Sequence, residues 1–188
     1  MPSEPPVTVT VTAEAAGLAE SPTSTQTPEP EGAEPTVAPD PDAPDSGVLD
    51  ENASGQTLSL SDIFDVRGEW SESRFGVSDR SDIRGLGVPV SCFGDGASLE
   101  MRLARRFSGL EMSVGQANDS PSSGQVLVVE VEANGEQLDV RRVPFDQVQP
   151  IDLDIAGVNA LRIVLTLDRG GCGSSDRVLA VVEGLRVS

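Results

Sequence analysis

The sequence predicts an all-β protein, an antiparallel β-sandwich of the jelly-roll type at residues 56–188, preceded by a disordered acidic segment at residues 1–55. Several short stretches after residue 55 alternate apolar and polar residues, which places one face of a strand on a core and the other in water. Turn signals separate these stretches, and no amphipathic segment is long enough for a packed helix. Eight or nine short strands of this kind are typical of a β-sandwich.

The acidic segment is defined by its composition. Residues 1–55 hold 11 of the 31 acidic residues, ten of the 14 prolines and no basic residue. Such a segment cannot bury enough apolar surface to offset the entropy of ordering it, so we interpret it as a linker or stalk. Its stretch PPVTVTVTAE (5–14) looks like the one that often follows a membrane anchor in actinobacterial surface proteins. We therefore favour a secreted or surface-anchored protein with its anchor upstream; a spacer in a soluble protein is the alternative.

The strands are predicted from individual stretches. Alternation predicts strands at 58–61, 99–103, 110–114 and 151–155. The β-branched runs at 126–133 and 161–167 predict inner strands, and the run at 177–187 predicts the last strand of the chain. Asn134-Gly135 lies between two such runs and predicts a type I′ hairpin.

Composition excludes several classes of function. The chain has no histidine, tyrosine or lysine, so imidazole catalysis, histidine metal ligands and Schiff-base chemistry are excluded. Its net charge of -18 and lack of a basic face argue against nucleic-acid binding. No run approaches the ~18 apolar residues of a membrane span, so we expect no direct membrane insertion by this chain. Carboxylates are plentiful, but nothing fixes two of them in a cleft, so we expect no enzyme.

Gly85-Leu86-Gly87 raises the question of a phosphate-binding loop. A dinucleotide fingerprint needs a third glycine near position 90 and then a helix, but Pro89 and Val90 follow and lead into a strand pattern. We interpret these glycines as serving a positive φ or a close backbone approach where a strand enters a sheet.

The order of several motifs carries a family resemblance. Gly-Leu-Gly is followed by the segment from Leu103 to Gly115, the hairpin from Val126 to Gly135 and the strand from Leu153 to Leu165. In this order the chain resembles the NPCBM/NEW2 family, which is related to carbohydrate-binding module family 51, over most of residues 57–187. The resemblance implies a galactose-binding-like β-sandwich that recognises a glycan or cell-wall polysaccharide without catalysis.

Candidate ligand residues follow from the sandwich-end loops. We predict Trp70 as a stacking platform, Arg67 or Arg84 as a hydroxyl donor and Asn118 with Asp119 as hydroxyl acceptors. Each has a structural alternative: Trp70 as a cap on the core, and Asn118-Asp119 as an Asx-turn.

A protein partner is the alternative to a glycan. The His-Ala that usually follows Gly-Leu-Gly in the family is replaced by Pro89-Val90, and the usual aromatic before it and the Trp before the last strand are absent. A sandwich that has lost its sugar site would act as a protein-interaction or sensor ectodomain. Such a role needs a broader apolar or arginine-rich patch, for instance at Arg102, Arg105 and Arg106.

Cys92 and Cys172 are the only cysteines. Two distant cysteines without CxxC or histidine make a metal site unfavourable, and in an exported protein we expect them to form a disulfide. Two separate buried thiols are the cytosolic alternative. We expect no cofactor or metal; one structural calcium at the acidic positions Asp79, Asp82, Asp95 and Asp176 is the option left open.

Overall fold

Two five-stranded antiparallel sheets pack face to face in the computed structural model, which describes residues 47–170 and 172–188. The predicted antiparallel β-sandwich is confirmed. Within the described residues the helical elements are two single 3₁₀ turns, Glu51–Ala53 and Leu60–Asp62.

Each sheet combines one hairpin of consecutive strands with strands that are distant in sequence. The first sheet has the order β1-β4-β9-β6-β7 and the second the order β2-β3-β10-β5-β8. The strands are β1 (Asp65–Arg67), β2 (Ser71–Val77), β3 (Arg80–Ser91), β4 (Ala97–Arg102), β5 (Gly109–Gln116), β6 (Leu127–Ala133), β7 (Glu136–Val143), β8 (Val148–Asp154), β9 (Ala160–Leu167) and β10 (Arg177–Val187).

Most of the predicted strands are present. Six of the seven predicted stretches fall in β4, β5, β6, β8, β9 and β10, and Asn134 and Gly135 have positive φ angles of 53° and 84° between β6 and β7. The strand predicted at 58–61 is wrong. The backbone N–H and the hydroxyl of Ser59 both donate to Asp62 Oδ2, at 2.8 and 2.6 Å, and this local capping closes a 3₁₀ turn instead.

The chain joins the sandwich before residue 55. Val48 bridges Arg102, Leu49 is buried in the core, and the N–H of Leu58 donates to Leu185 O at 2.8 Å. Residues 47–55 of the predicted linker therefore contact the sandwich. Residues 1–46, which include the stretch PPVTVTVTAE, lie outside the described residues, and their linker character stays a prediction.

The core lies between the inner faces of the two sheets. Because side chains alternate between faces along a strand, each inner strand contributes every second residue. The fully buried set includes Leu99, Met101, Val129, Val131, Leu161, Ile163 and Leu165 from the first sheet and Val88, Val90, Leu110, Val114, Ala180 and Val182 from the second.

The β2–β3 hairpin, with its turn at 78–79, folds over the outer face of the second sheet. Pairing of β3 with β10 ends at Gly85 opposite Glu183, and the hairpin then reaches the far end of β5. Asn118 Nδ2 donates to Ser78 O at 3.0 Å, and Ser78 Oγ donates to Asp146 O at 3.0 Å. Val77 and Ile83 thereby cover Val181, which forms a second apolar cluster outside the main core.

Gly85 and Gly87 permit this close approach. A Cβ at Gly85 would lie 2.7 Å from Val182 O, and a Cβ at Gly87 would collide with the ring of Phe75. Neither glycine is among the residues with positive φ. Of the two roles predicted for Gly-Leu-Gly, the structure supports close approach, here where a hairpin leaves the sheet.

Candidate functional site

Five loops lie at one end of the sandwich, which we call the disulfide end; their described residues are 68–70, 92–96, 117–126, 144–147, and 168–170 with 172–176. Cys92 and Cys172 are disulfide-bonded there, with a Cα–Cα distance of 5.8 Å across 80 residues of sequence. The predicted pairing is confirmed. The bond joins the loop after β3 to the loop before β10.

Asp176 ties two of these loops together. Its carboxylate accepts hydrogen bonds from Gln125 Nε2 at 2.9 Å, Ser122 Oγ at 3.2 Å and the backbone N–H of Gly173 at 2.8 Å. A charged acceptor strengthens each of these bonds. These hydrogen bonds thus join the loop 117–126 to residues 173–176.

Gln116 fixes the same end from inside. Its side chain is completely buried, and Nε2 donates to Gln125 O at 2.9 Å and to Val143 O at 2.8 Å. Its Oε1 has no hydrogen-bond partner among the described residues. The amide therefore joins β5 to the loops that follow β5 and β7.

Asp168 carries the resolved pKa shift of this end. A hydrogen bond from the backbone N–H of Gly170, followed by the Arg142 guanidinium, holds its pKa below the ordinary aspartate value. Both contacts favour the charged form. Asp168 is therefore an ionised anchor for the start of its loop, the opposite of a general acid.

Phe93 is the most exposed large apolar residue described, with 73% of its surface accessible. It follows Cys92 directly, so the disulfide anchors its backbone. In the sequence, FGDG (93–96) indicates a turn, and Phe93 is not among the predicted ligand residues. Two features of the sequence could have indicated Phe93: it is an aromatic residue in a turn, and it follows a cysteine. The sequence alone does not tell whether its ring is buried.

A polar depression of about 260 Å³, which we call the loop cleft, lies beside the Phe93 loop. Asp95 supplies a carboxylate, while Arg67 and Arg162 supply guanidinium donors that also pair with Asp65 and Glu132. The cleft is lined by Arg67, Gly68, Asp95, Gly96, Ala97, Ser98, Arg162 and Val164.

Trp70 lies at the base of the disulfide end. Its ring is half-buried and packs against the main core, and Nε1 donates to Arg67 O at 3.0 Å. This arrangement fits the core-capping alternative and also positions Arg67 at the loop cleft.

The other predicted ligand residues lie in two places. Asn118 and Asp119 are exposed in the loop after β5, and Asn118 uses its amide to hold the β2–β3 hairpin. Arg84 lies on β3, away from that loop, where it lines a different cavity. The structure thus brings Trp70, Asn118 and Asp119 to one end of the sandwich and places Arg84 elsewhere; the role of all four stays a prediction.

Arg84 lines what we call the hinge cavity, about 170 Å³ in volume, where the β2–β3 hairpin leaves the second sheet. Its floor is apolar and its rim polar. The lining residues are Thr57, Leu58, Ser59, Glu72, Arg84, Gly85, Leu86, Val182, Gly184 and Leu185.

The four aspartates considered for calcium binding lie in different places and do not form a cluster. Asp82 pairs with Arg74, Asp176 binds loop groups, Asp79 lies in the hairpin turn and Asp95 lines the loop cleft. Among residues 47–170 and 172–188, no three acidic or cysteine side chains are grouped as a metal site would require.

The arginine patch considered for a protein partner is partly used within the chain. The Arg102 guanidinium lies 3.4 Å from the ring centroid of Phe64, and Arg106 Nε lies 3.7 Å from a Glu51 carboxylate oxygen. These contacts hold residues 51–64 against the end of β4.

The chain matches no family model and no curated protein, so the resemblance to NPCBM/NEW2 stays a prediction. Among solved structures it is similar to the CBM51 of Clostridium perfringens GH95 in complex with methyl-galactose, at 17% identity and TM-score 0.49, over 64% of this chain and 88% of that one. It is also similar to the CBM22-1 xylan-binding domain of Paenibacillus barcinonensis Xyn10C, at 11% identity and TM-score 0.40, over 70% and 88% of the two chains.

A third similar structure is a family 35 carbohydrate-binding module from an environmental isolate, at 17% identity and TM-score 0.41, over 67% of this chain and 85% of that one. At these identities the similarity concerns the fold. None of the helices in the described part of this chain is both long and apolar enough to cross a membrane.

Proposed function

We propose that the protein is a non-catalytic glycan-recognition module and that its ligand binds at the disulfide end. The observation that carries the proposal is the exposed ring of Phe93, in the same loop as the cleft-lining residues Asp95 and Gly96. Sugar rings present apolar C–H patches to aromatic faces and hydroxyl groups to convergent donors and acceptors.

The proposed contacts combine both kinds of chemistry. Phe93 is the stacking platform, Arg67 and Arg162 are hydroxyl donors, and Asp95 is a hydroxyl acceptor. Asp119, exposed in a neighbouring loop, remains a further acceptor, and Trp70 supports Arg67 through its hydrogen bond. The disulfide and the Asp176 hydrogen bonds limit the entropy that ordering these loops would cost on binding.

The disulfide and the composition also support an extracellular location and a non-catalytic role for the protein. A disulfide in a chain of this size favours an exported protein, so we place the module outside the cell, secreted or surface-anchored. Non-catalytic action is supported by the absence of histidine, lysine and tyrosine from the whole sequence.

A glycan array followed by isothermal titration of the full chain tests the proposal. We expect saturable binding that Phe93→Ala abolishes and that Leu138→Ala, at an exposed position on β7, leaves unchanged. Folded protein that binds nothing on the array would overturn the glycan function. Binding that survives Phe93→Ala but is lost in Trp70→Ala would overturn the assigned platform.

Recognition of a protein is the second candidate function, and the surface of β7 favours it. Leu138 and Val140 are 42% and 40% exposed on this edge strand, beside Arg141 and Arg142. Arginine is enriched in protein interfaces, and the exposed apolar pair beside these arginines adds apolar contact area. A partner that is captured by the native chain and lost with Val140→Lys, while the array stays empty, would favour this function.

A further inference from the structure

The hinge cavity lies at an interruption of the second sheet. The last pair between β3 and β10 is Gly85 with Glu183, and the pairing of β10 with β5 skips from Glu183 to Arg186. Gly184 therefore faces no residue of either neighbouring strand; its φ is +62°, and nothing lies within 4 Å of where its Cβ would be. A bulge with a glycine beside open space is typical of a place where a ligand approaches backbone.

Two opposite charges line this cavity without pairing. Glu72 and Arg84 are diagonal neighbours on one face of the β2–β3 ladder, because Glu72 lies opposite Leu86 and Arg74 opposite Arg84. Glu72 Oε1 accepts the backbone N–H of Leu60 at 2.6 Å, which fixes the carboxylate. Within the described residues, Glu72 Oε2 and the Arg84 guanidinium have no hydrogen-bond or ion-pair partner.

Arg74, next to Arg84, makes the binding of an anion at Arg84 more favourable. Arg74 lies directly opposite Arg84, and like charges in directly opposed positions destabilise a ladder. Asp82 pairs with Arg74 and compensates the positive charge of Arg74, but not that of Arg84. An added carboxylate at Arg84 would compensate the second charge and could accept two parallel N–H bonds from its guanidinium.

The apolar floor of the hinge cavity also restricts which ligands fit. Leu58, Leu86 and Leu185 line it, so the ligand must present an apolar group beside its charged groups. A volume of about 170 Å³ is many times what a single water needs, so a small molecule fits better than one solvent molecule.

We propose that the hinge cavity binds a free α-amino acid with an aliphatic side chain. The carboxylate of the ligand binds Arg84, its ammonium group binds Glu72 Oε2, and its side chain packs on the leucine floor. In a peptide the two charges are separated by the length of the chain, so a free amino acid matches the diagonal pair better. This site goes beyond the proposed glycan function and shares no residue with the loop cleft.

The test uses the full chain, leucine as the probe, and backbone amide chemical shifts as the readout. We expect saturable shifts at 57–59, 72 and 84–86. N-acetyl-leucine lacks the ammonium group and leucinamide lacks the carboxylate, so each should bind about tenfold more weakly or worse, since a charge-assisted bond contributes about 1.5–3 kcal/mol.

Matched variants separate the two arginines. Arg84→Gln should abolish leucine binding, whereas Arg74→Gln should retain it because Arg74 is already paired with Asp82. Glu72→Gln should remove the preference for leucine over N-acetyl-leucine. Phe93→Ala should leave leucine binding unchanged, so loss of the glycan function and loss of this site are distinguishable.

Three results would overturn the proposal. The first is folded protein without saturable shifts at millimolar leucine. The second is equal binding of leucine and its two blocked derivatives. The third is equal loss of binding in Arg74→Gln and Arg84→Gln, which would indicate a general effect of positive charge on the hairpin rather than a site at Arg84.

Discussion

The ring of Phe75 lies over the backbone of Gly87, in the space that a Cβ at position 87 would need. The two residues are not paired partners in the β2–β3 ladder, since Phe75 lies opposite Ile83. The contact therefore exists because the hairpin folds over the sheet from which it emerges.

Gly87→Ala should consequently lower the free energy of unfolding by about 1–3 kcal/mol, the usual cost of forcing extra volume into a packed site. Chemical denaturation measures it. Gly124→Ala is the matched control, because no atom lies within 4 Å of a Cβ there, and it should change stability by less than about 0.5 kcal/mol. Equal effects of the two variants would contradict the packing of Phe75 on Gly87.

Reduction of Cys92–Cys172 should lower the free energy of unfolding by about 4 kcal/mol, as the chain-entropy model gives for a loop of this length. The measurement is a urea titration with and without a dithiol reductant. The Cys92→Ser, Cys172→Ser double variant is the control and should not respond to the reductant. A similar response in that variant would show that the reductant acts elsewhere.

Gln116→Leu should destabilise the protein by about 1–3 kcal/mol for each carbonyl it leaves unpaired, because Gln125 O and Val143 O are both satisfied by the Gln116 amide. Thermal unfolding measures the loss, and Gln137→Leu on the exposed strand β7 is the control. Hydrogen exchange should also quicken in the loop 117–126. Unchanged exchange there would mean that the amide does not hold the loop.

Asp168 should titrate below the ordinary aspartate value of about 3.9 in a carbon-detected NMR titration. A lowered pKa in the folded state means that ionised Asp168 contributes stability above the unfolded pKa, and that this contribution is lost as the pH falls through the folded value. Arg142→Gln should raise the pKa without restoring it fully, since the Gly170 N–H remains. A titration at or above 3.9 in the native chain would refute both contacts.

The strands could be predicted from sequence because each depends on local alternation. The run from 177 to 187 became β10 with those bounds, and the run from 161 to 167 lies within β9. The stretch 58–61 also alternates, yet the side chain of Asp62 caps Ser59 and closes a turn. Alternation of apolar and polar residues indicates which strand face is buried, but a local capping hydrogen bond can favour a turn over a strand.

The site was harder to predict because it depends on exposure and on contacts between distant segments. Phe93 follows a cysteine in a glycine-rich turn, and its pattern fits a buried ring as well as an exposed one. The hinge cavity lies where β3 separates from β10. No local sequence pattern predicts that separation. Arg84 was selected as a donor, but its diagonal relation to Glu72 exists only in the ladder.

Trp70 is the single tryptophan of a chain without tyrosine, and its indole donates to the backbone of Arg67 at the edge of the loop cleft. Its fluorescence emission thus comes from one known position. A sugar that displaces Arg67 would change the emission of the unlabelled protein. The protein therefore carries an intrinsic optical reporter at the edge of the loop cleft.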